Sequence, residues 1–171
     1  MPAYILTGTP GSGKTAILRQ LEVDGHAVAE EAATDVIALW HALGRVEPWR
    51  EPEFLDRILD LQCRRRLTDG FTDRSAVCTL ALSRHIGVAP SRRLVDEAAR
   101  AAETYERGVF FVRNLGFVEP TAARRITYED SLAFERIHED TYRELGFELV
   151  EVPATPLPER VALIERYASR S

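Results

Sequence analysis

Eight residues near the amino terminus, Gly8-Thr9-Pro10-Gly11-Ser12-Gly13-Lys14-Thr15, satisfy the pattern G-x-x-x-x-G-K-[ST] without a mismatch. The chemistry available to such a run is anion capture. Glycines at 8, 11 and 13 let the backbone turn tightly enough for several N–H groups to converge on one phosphate. A helix beginning at Lys14 adds the positive end of its dipole in the same direction. The Lys14 ammonium is compact enough to reach β- and γ-phosphate oxygens from inside the turn, and the Thr15 hydroxyl is a hard oxygen ligand for Mg²⁺. Thr9, Pro10, Ser12 and Ala16 complete the expected nucleotide-binding run. Of the 22 Lys and Arg residues only Lys14 is a lysine. It falls where a planar guanidinium would fit badly.

A magnesium nucleotide also needs a carboxylate at the end of a strand beside this turn. Asp73, in Phe71-Thr72-Asp73-Arg74-Ser75, stands between two helical patterns and is the candidate; a solvated helix N-cap is the competing role. The strand before it is polar for a buried one, with Gly70 and Thr72. Glu30 and Glu31 follow another short strand. A carboxylate there could accept a proton from an acceptor hydroxyl, and Glu31 is the preferred member of the pair. Either glutamate would also favour the first turn of the next helix through its dipole. Arg74, Arg113, Arg124 and Arg125 could neutralise charge on a transferring phosphoryl group. In an arginine-rich chain each could equally be a surface residue.

These residues must be held by elements, and the chain alternates short apolar runs with helical patterns. Strands are expected at Ala3–Thr7, His26–Ala29, Phe71–Thr72, Val109–Val112 and Phe147–Val152. Helices are expected from Lys14 to about Glu22, through Asp35–Trp40, and from Glu53 to about Leu67. Further helices follow from Ser75, at Arg92–Arg107, from Tyr128 to Leu145 with Gly146 as C-cap, and from Leu157 or Pro158. Alternation of this kind implies one α/β domain over residues 1–171, with a five-stranded parallel sheet and helices on both faces. The stretch around residues 113–127 reads as a loop and a possible lid. Trp40, His41, Trp49 and Phe54 lie where an acceptor pocket or the core would use them.

Composition narrows the partners. A net charge of -5 argues against a nucleic-acid partner. Cys63 and Cys78 are isolated and the four histidines are scattered, so neither a disulfide framework nor structural zinc is expected. No apolar run reaches membrane-spanning length, and the expected setting is cytoplasmic.

The order of Gly8–Thr15, Glu31-Ala32-Ala33-Thr34, Asp73-Arg74-Ser75, Arg124-Arg125, Val152-Pro153-Ala154 and Glu159-Arg160-Val161 resembles the small P-loop kinase-like ATPases. These include ribosylnicotinamide-kinase-like AAA-type domains and, more distantly, nucleoside and nucleotide kinases. The resemblance implies the three-layer P-loop NTPase fold with strand order 2-3-1-4-5. It also implies Lys14 and Thr15 for phosphate and Mg²⁺, with Asp73 and Arg74 at the reaction centre. Glu31 would support the acceptor, and Arg124 and Arg125 would sit in the lid. By the same likeness Pro153 and Ala154 would run past the nucleobase.

Two functions share this phosphate loop. One is a small-molecule kinase passing the γ-phosphate of ATP to a hydroxyl or phosphate acceptor. The other is an ATPase or GTPase that toggles a binding partner and needs no acceptor pocket. A guanine signature built on Asn/Thr-Lys-x-Asp is impossible with Lys14 as the only lysine.

Overall fold

A computed structural model describes residues 2–116 and 127–170. In chain order the elements are β1 (Ala3–Thr7), α1 (Lys14–Val23), β2 (Val28–Ala29), α2 (Ala32–Ala42) and, after a 3-10 turn at Pro48–Arg50, α3 (Phe54–Arg64). They continue with β3 (Gly70–Asp73), α4 (Ala76–Ile86), α5 (Arg92–Thr104) and β4 (Gly108–Val112). The last three are α6 (Tyr128–Glu144), β5 (Glu148–Val152) and α7 (Leu157–Ala168). All four strand pairings are parallel, and the sheet order is β2-β3-β1-β4-β5. This is the P-loop NTPase topology, with β1 at the centre.

The two faces of the sheet follow from the period-2 alternation of its central strands. Tyr4 and Leu6 of β1, with Phe110 and Val112 of β4, pack against Ile17, Leu18 and Leu21 of α1 and Val161 and Ile164 of α7. Ile5 and Val109 point the other way, into a larger core built from α2, α3, α4, α5 and Tyr142 of α6. No helix among the described residues is long and apolar enough to cross a membrane.

The polar strand β3 has a physical explanation. Gly70 adopts φ +95°, and a Cβ there would lie 2.1 Å from the carbonyl oxygen of Ala27, so only glycine lets β3 enter beside the β2 approach. The Thr72 hydroxyl donates to the Arg74 carbonyl at 3.1 Å, which satisfies the one buried side-chain donor of the strand interior. Register pairs Leu6 with Asp73, so β3 delivers Asp73 to the same sheet edge at which β1 enters the glycine-rich turn.

The helix starts are set by local chemistry. The Ser75, Ser91 and Thr127 side chains accept from backbone N–H groups two or three residues on, capping α4, α5 and α6. Gly146, at φ +81°, closes α6, with its own N–H on Arg143 and that of Phe147 on Tyr142.

Candidate functional site

The glycine-rich turn leaves β1 at Gly8 and runs into α1 at Lys14. Gly8 has φ +133°, and a Cβ there would stand 2.3 Å from the Val112 carbonyl oxygen, so the turn can pass the end of β4 only as glycine. Lys14 is 4% exposed, and its Nζ donates to the carbonyls of Gly8 and Thr9, each at 3.0 Å, and to Ser12 Oγ at 3.3 Å. The ammonium is thus folded into the loop it serves. Thr15 and Ala16 are exposed on the first turn of α1, and Pro10 borders the cavity described below. Asn114, just beyond β4, donates to Ser131 Oγ of α6 at 3.1 Å and approaches Thr9 Oγ1 at 3.5 Å.

Across the sheet edge, Asp73 and Arg74 are both buried. Arg74 has φ +72°, the only positive φ among the described non-glycine residues. Left-handed backbone at a bulky residue costs on the order of 1–3 kcal/mol and persists where surrounding bonds fix it. Here the Arg74 N–H is bound to the Leu6 carbonyl at 2.9 Å, and the side chain turns back toward α2 and α6. Its Nε lies 2.8 Å from Glu31 Oε1 in a contact of charges, the N–H not being aligned as a hydrogen bond. Burial opposes the guanidinium charge, but the carboxylates of Glu31 and Asp73 outweigh it and raise its pKa.

Glu31 accepts from the Thr34 hydroxyl at its second oxygen, at 3.0 Å. Glu30 points elsewhere: it is exposed and pairs with Arg19 at 2.6 Å. Behind Arg74 stands His138 of α6, fully buried, with Nε2 3.2 Å from Arg74 Nη1 and Nδ1 3.0 Å from the Phe134 carbonyl. Burial, and then the Arg74 charge, push the imidazole pKa well below 6.5, so the ring is neutral. A neutral ring can satisfy both neighbours in one tautomer only, with Nδ1–H donating to Phe134 and Nε2 accepting from Arg74. Three side chains from three helices or helix entrances therefore form one line, His138–Arg74–Glu31.

Glu31 and Arg74 line a cavity of about 440 Å³ between α2, α3, α4 and α6. Trp49, Phe54, Ile58 and Phe134 give it aromatic and aliphatic walls, and Gln62 and Thr79 give it polar ones. Thr79 donates to Gln62 Oε1 at 2.9 Å, and Gln62 Nε2 donates to the Ser75 carbonyl at 3.0 Å, so the amide is held in one orientation. The cavity has the size and mostly apolar lining of a small-molecule site. Its lining residue Cys78 lies 3.2 Å from Thr7 Oγ1 at the end of β1, and the Tyr142 hydroxyl meets both Cys78 Sγ at 3.0 Å and Ser75 Oγ at 3.1 Å.

Of the aromatic residues singled out in the sequence, Trp40 and Phe54 are buried and pack on each other at 6.0 Å between ring centroids. Phe54 and Trp49 also face the cavity, whereas His41 only meets the edge of Trp49. Arg113 has Glu135, Glu139 and Glu151 all within ion-pair distance of its guanidinium. Arg124 and Arg125 lie outside the described residues. Pro153 and Ala154 are exposed on the turn between β5 and α7. His138 and Gln62 were not legible as site residues, being single polar positions inside helical patterns.

Two hard oxygen donors that could hold Mg²⁺ are the Thr15 hydroxyl at the start of α1 and the buried Asp73 carboxylate at the end of β3. Among the described residues no group of three or more His, Cys, Asp or Glu side chains forms a metal cage. A hydroxyl and one carboxylate fit an ion that keeps its waters and binds mainly through a substrate's phosphates.

Comparison with known proteins gives one family match and several structural ones. The family model described as AAA domain matches residues 3–160. No curated protein matches the chain. Deoxyadenosine kinase from M. mycoides with bound dCTP superposes with a TM-score of 0.69 at 12% identity, covering 100% of both chains. The same enzyme with the products dCMP and a flexible dCDP gives 0.67 at 13% identity, covering 98% of each chain. Shikimate kinase from Acinetobacter baumannii in complex with shikimate gives 0.59 at 14% identity, covering 99% of this chain and 94% of that one. At these identities the likeness is one of fold.

Proposed function

This chain belongs to the AAA domain family, and we propose that it is a small-molecule kinase that passes the γ-phosphate of Mg-ATP to a hydroxyl of an acceptor held in the cavity beside Glu31. The observation that carries this reading is the cavity itself. A nucleotide-driven switch needs the phosphate loop alone, whereas here a pocket of about 440 Å³ opens beside the loop with a paired carboxylate on its wall. The solved structures it resembles in fold include two kinases of small hydroxyl compounds, which agrees with that architecture.

The residues divide the work as follows. The turn Gly8–Thr15 binds the phosphates through backbone N–H groups, and Lys14 exchanges the Gly8 and Thr9 carbonyls for β- and γ-phosphate oxygens. Thr15 and Asp73 would hold Mg²⁺, which when bound neutralises charge on the phosphates. Glu31 accepts the proton of the acceptor hydroxyl as its oxygen bonds to the γ-phosphorus and the bond to the β-phosphate oxygen breaks, leaving ADP. Arg74 keeps Glu31 turned toward the cavity. By the family resemblance Arg124 and Arg125 would neutralise charge on the phosphoryl group, and Pro153 and Ala154 would flank the base.

The cavity favours a hydroxyl over a phosphate acceptor. Among its described lining residues the carboxylates are Glu31, Glu47 and Asp130, and the cation is Arg74, which is already matched to Glu31. The direct test is ADP release from Mg-ATP with a panel of nucleosides, nucleotides, sugars and vitamins. Release stimulated by a hydroxyl compound supports the kinase; slow release unaffected by every acceptor overturns it in favour of a switch.

A further inference from the structure

Arg160 is absent from the mechanism above, yet it is placed against the phosphate loop. It lies in the first turns of α7, on the face that also carries Val161 and Ile164 into the core, and is only 4% exposed. Both terminal nitrogens donate to one acceptor, the Ser12 carbonyl, at 2.5 and 3.2 Å. Its Nε finds no hydrogen-bond partner among the described residues. Among the described residues no carboxylate pairs with it, and burial lowers its pKa. A buried cation with no counter-ion among the described residues is costly, and an anion bound by the loop would offset part of that cost.

The geometry shows how that compensation reaches a ligand. No peptide bond in the described chain is cis, so the Ser12 carbonyl and the Gly13 N–H of the same planar unit point in opposite directions. A guanidinium on the carbonyl therefore turns the Gly13 N–H away from itself and polarises it, making it a stronger donor. Gly13 is fitted to this contact: its φ is +82°, and a Cβ there would stand 2.9 Å from Arg160 Nη1. Lys14 grips the same Ser12 from its side chain, with Nζ on Ser12 Oγ at 3.3 Å. Two cations thus hold one residue of the loop, one at its hydroxyl and one at its carbonyl.

We propose that Arg160 is a positioning residue of the phosphate site: from behind the loop it fixes and charges the Ser12–Gly13 peptide for a polyphosphate chain. The proposal rests on the loop binding a nucleotide, but not on kinase activity or on any acceptor. The ligand class it serves is polyphosphate, without regard to the base.

The test is calorimetric titration of Mg-ATP, Mg-ADP and magnesium tripolyphosphate into the unaltered protein and Arg160→Met. The expected result is a loss of roughly ten- to a hundred-fold in affinity, of similar size for all three ligands. A structural role alone would lower the melting temperature of the ligand-free protein without a common factor across the three. Arg160→Gln, which keeps a donor for Ser12 but no charge, decides the matter if the Met variant does not fold, and the same equal loss is expected of it. Unchanged tripolyphosphate affinity in a folded variant overturns the proposal, even if ATP binds more weakly. The unaltered protein is the control: failure to bind ATP there would be a failure of the nucleotide reading, not of the role of Arg160.

Discussion

Arg74 Nε stands 2.8 Å from Glu31 Oε1, joining the residue after β3 to the residue before α2 across the mouth of the cavity. Both groups are largely withdrawn from solvent, with side-chain exposures of 7% and 14%. Removing one partner of such a pair leaves an uncompensated charge, so the pair behaves as one unit. Its position, between the glycine-rich loop and the cavity, is what makes Glu31 the candidate base.

The consequence for Glu31→Gln is selective. An amide fills the same space beside Thr34 but cannot take a proton from an acceptor. Transfer should fall by roughly 10²–10⁴-fold, with ATP affinity changed by no more than about two-fold. Steady-state phosphotransfer and a direct ATP titration on the same preparation check both halves. Undiminished transfer removes Glu31 from the mechanism.

His138 gives a prediction in pH. Burial and the Arg74 charge hold its folded pKa well below 6.5, while the unfolded chain binds a proton near 6.5. Below that pH the unfolded state carries more protons than the folded one, so this contribution is complete above 6.5 and is lost as the pH falls. The slope from this one residue is up to about 1.4 kcal/mol per pH unit. Replacing it in His138→Gln, which can still accept from Arg74, should make urea-derived stability fall less steeply between about pH 6.5 and 5 than in the unaltered protein. Parallel slopes would mean that His138 is not held neutral. His85, whose pKa burial also lowers, remains in both proteins and cancels in the comparison.

Gly70 tests whether β3 is built as described. Gly70→Ala would place a methyl group 2.1 Å from the Ala27 carbonyl at a backbone angle that alanine resists. A loss of about 2–4 kcal/mol in unfolding free energy is expected, from positive φ and overpacking together. Equal denaturation midpoints for variant and parent would contradict the close approach of β3 to the segment before β2.

Much of this was legible from residue order because each strong signal had one physical cause. The phosphate loop needs glycines at fixed places, and β1, β4 and α1 have unbroken apolar or helical patterns on both sides of it. β3 was the hard case: its central position is hidden by Gly70, which answers to a steric demand from Ala27, and by Thr72, which answers to the Arg74 carbonyl. The edge strand β2 is only two residues long, and β5 begins at Glu148, after Phe147 has turned into the core. Glu30 and Glu31 are adjacent and chemically identical, so only the direction of the chain entering α2 separates the surface partner of Arg19 from the cavity partner of Arg74. His138 and Arg160 act through contacts 64 and 148 residues away, which no local pattern encodes.

The central claim is that a cradle of main-chain amides around Lys14 captures a triphosphate. Calorimetric titration of Mg-ATP into the unaltered protein and into Lys14→Ala tests it with no assumption about the acceptor. Saturable binding is expected to the first and a loss of roughly a hundred-fold or more in the second, the size of a charge-assisted contact removed from a buried site. Absence of binding to correctly folded unaltered protein, or equal affinity in Lys14→Ala, would contradict it.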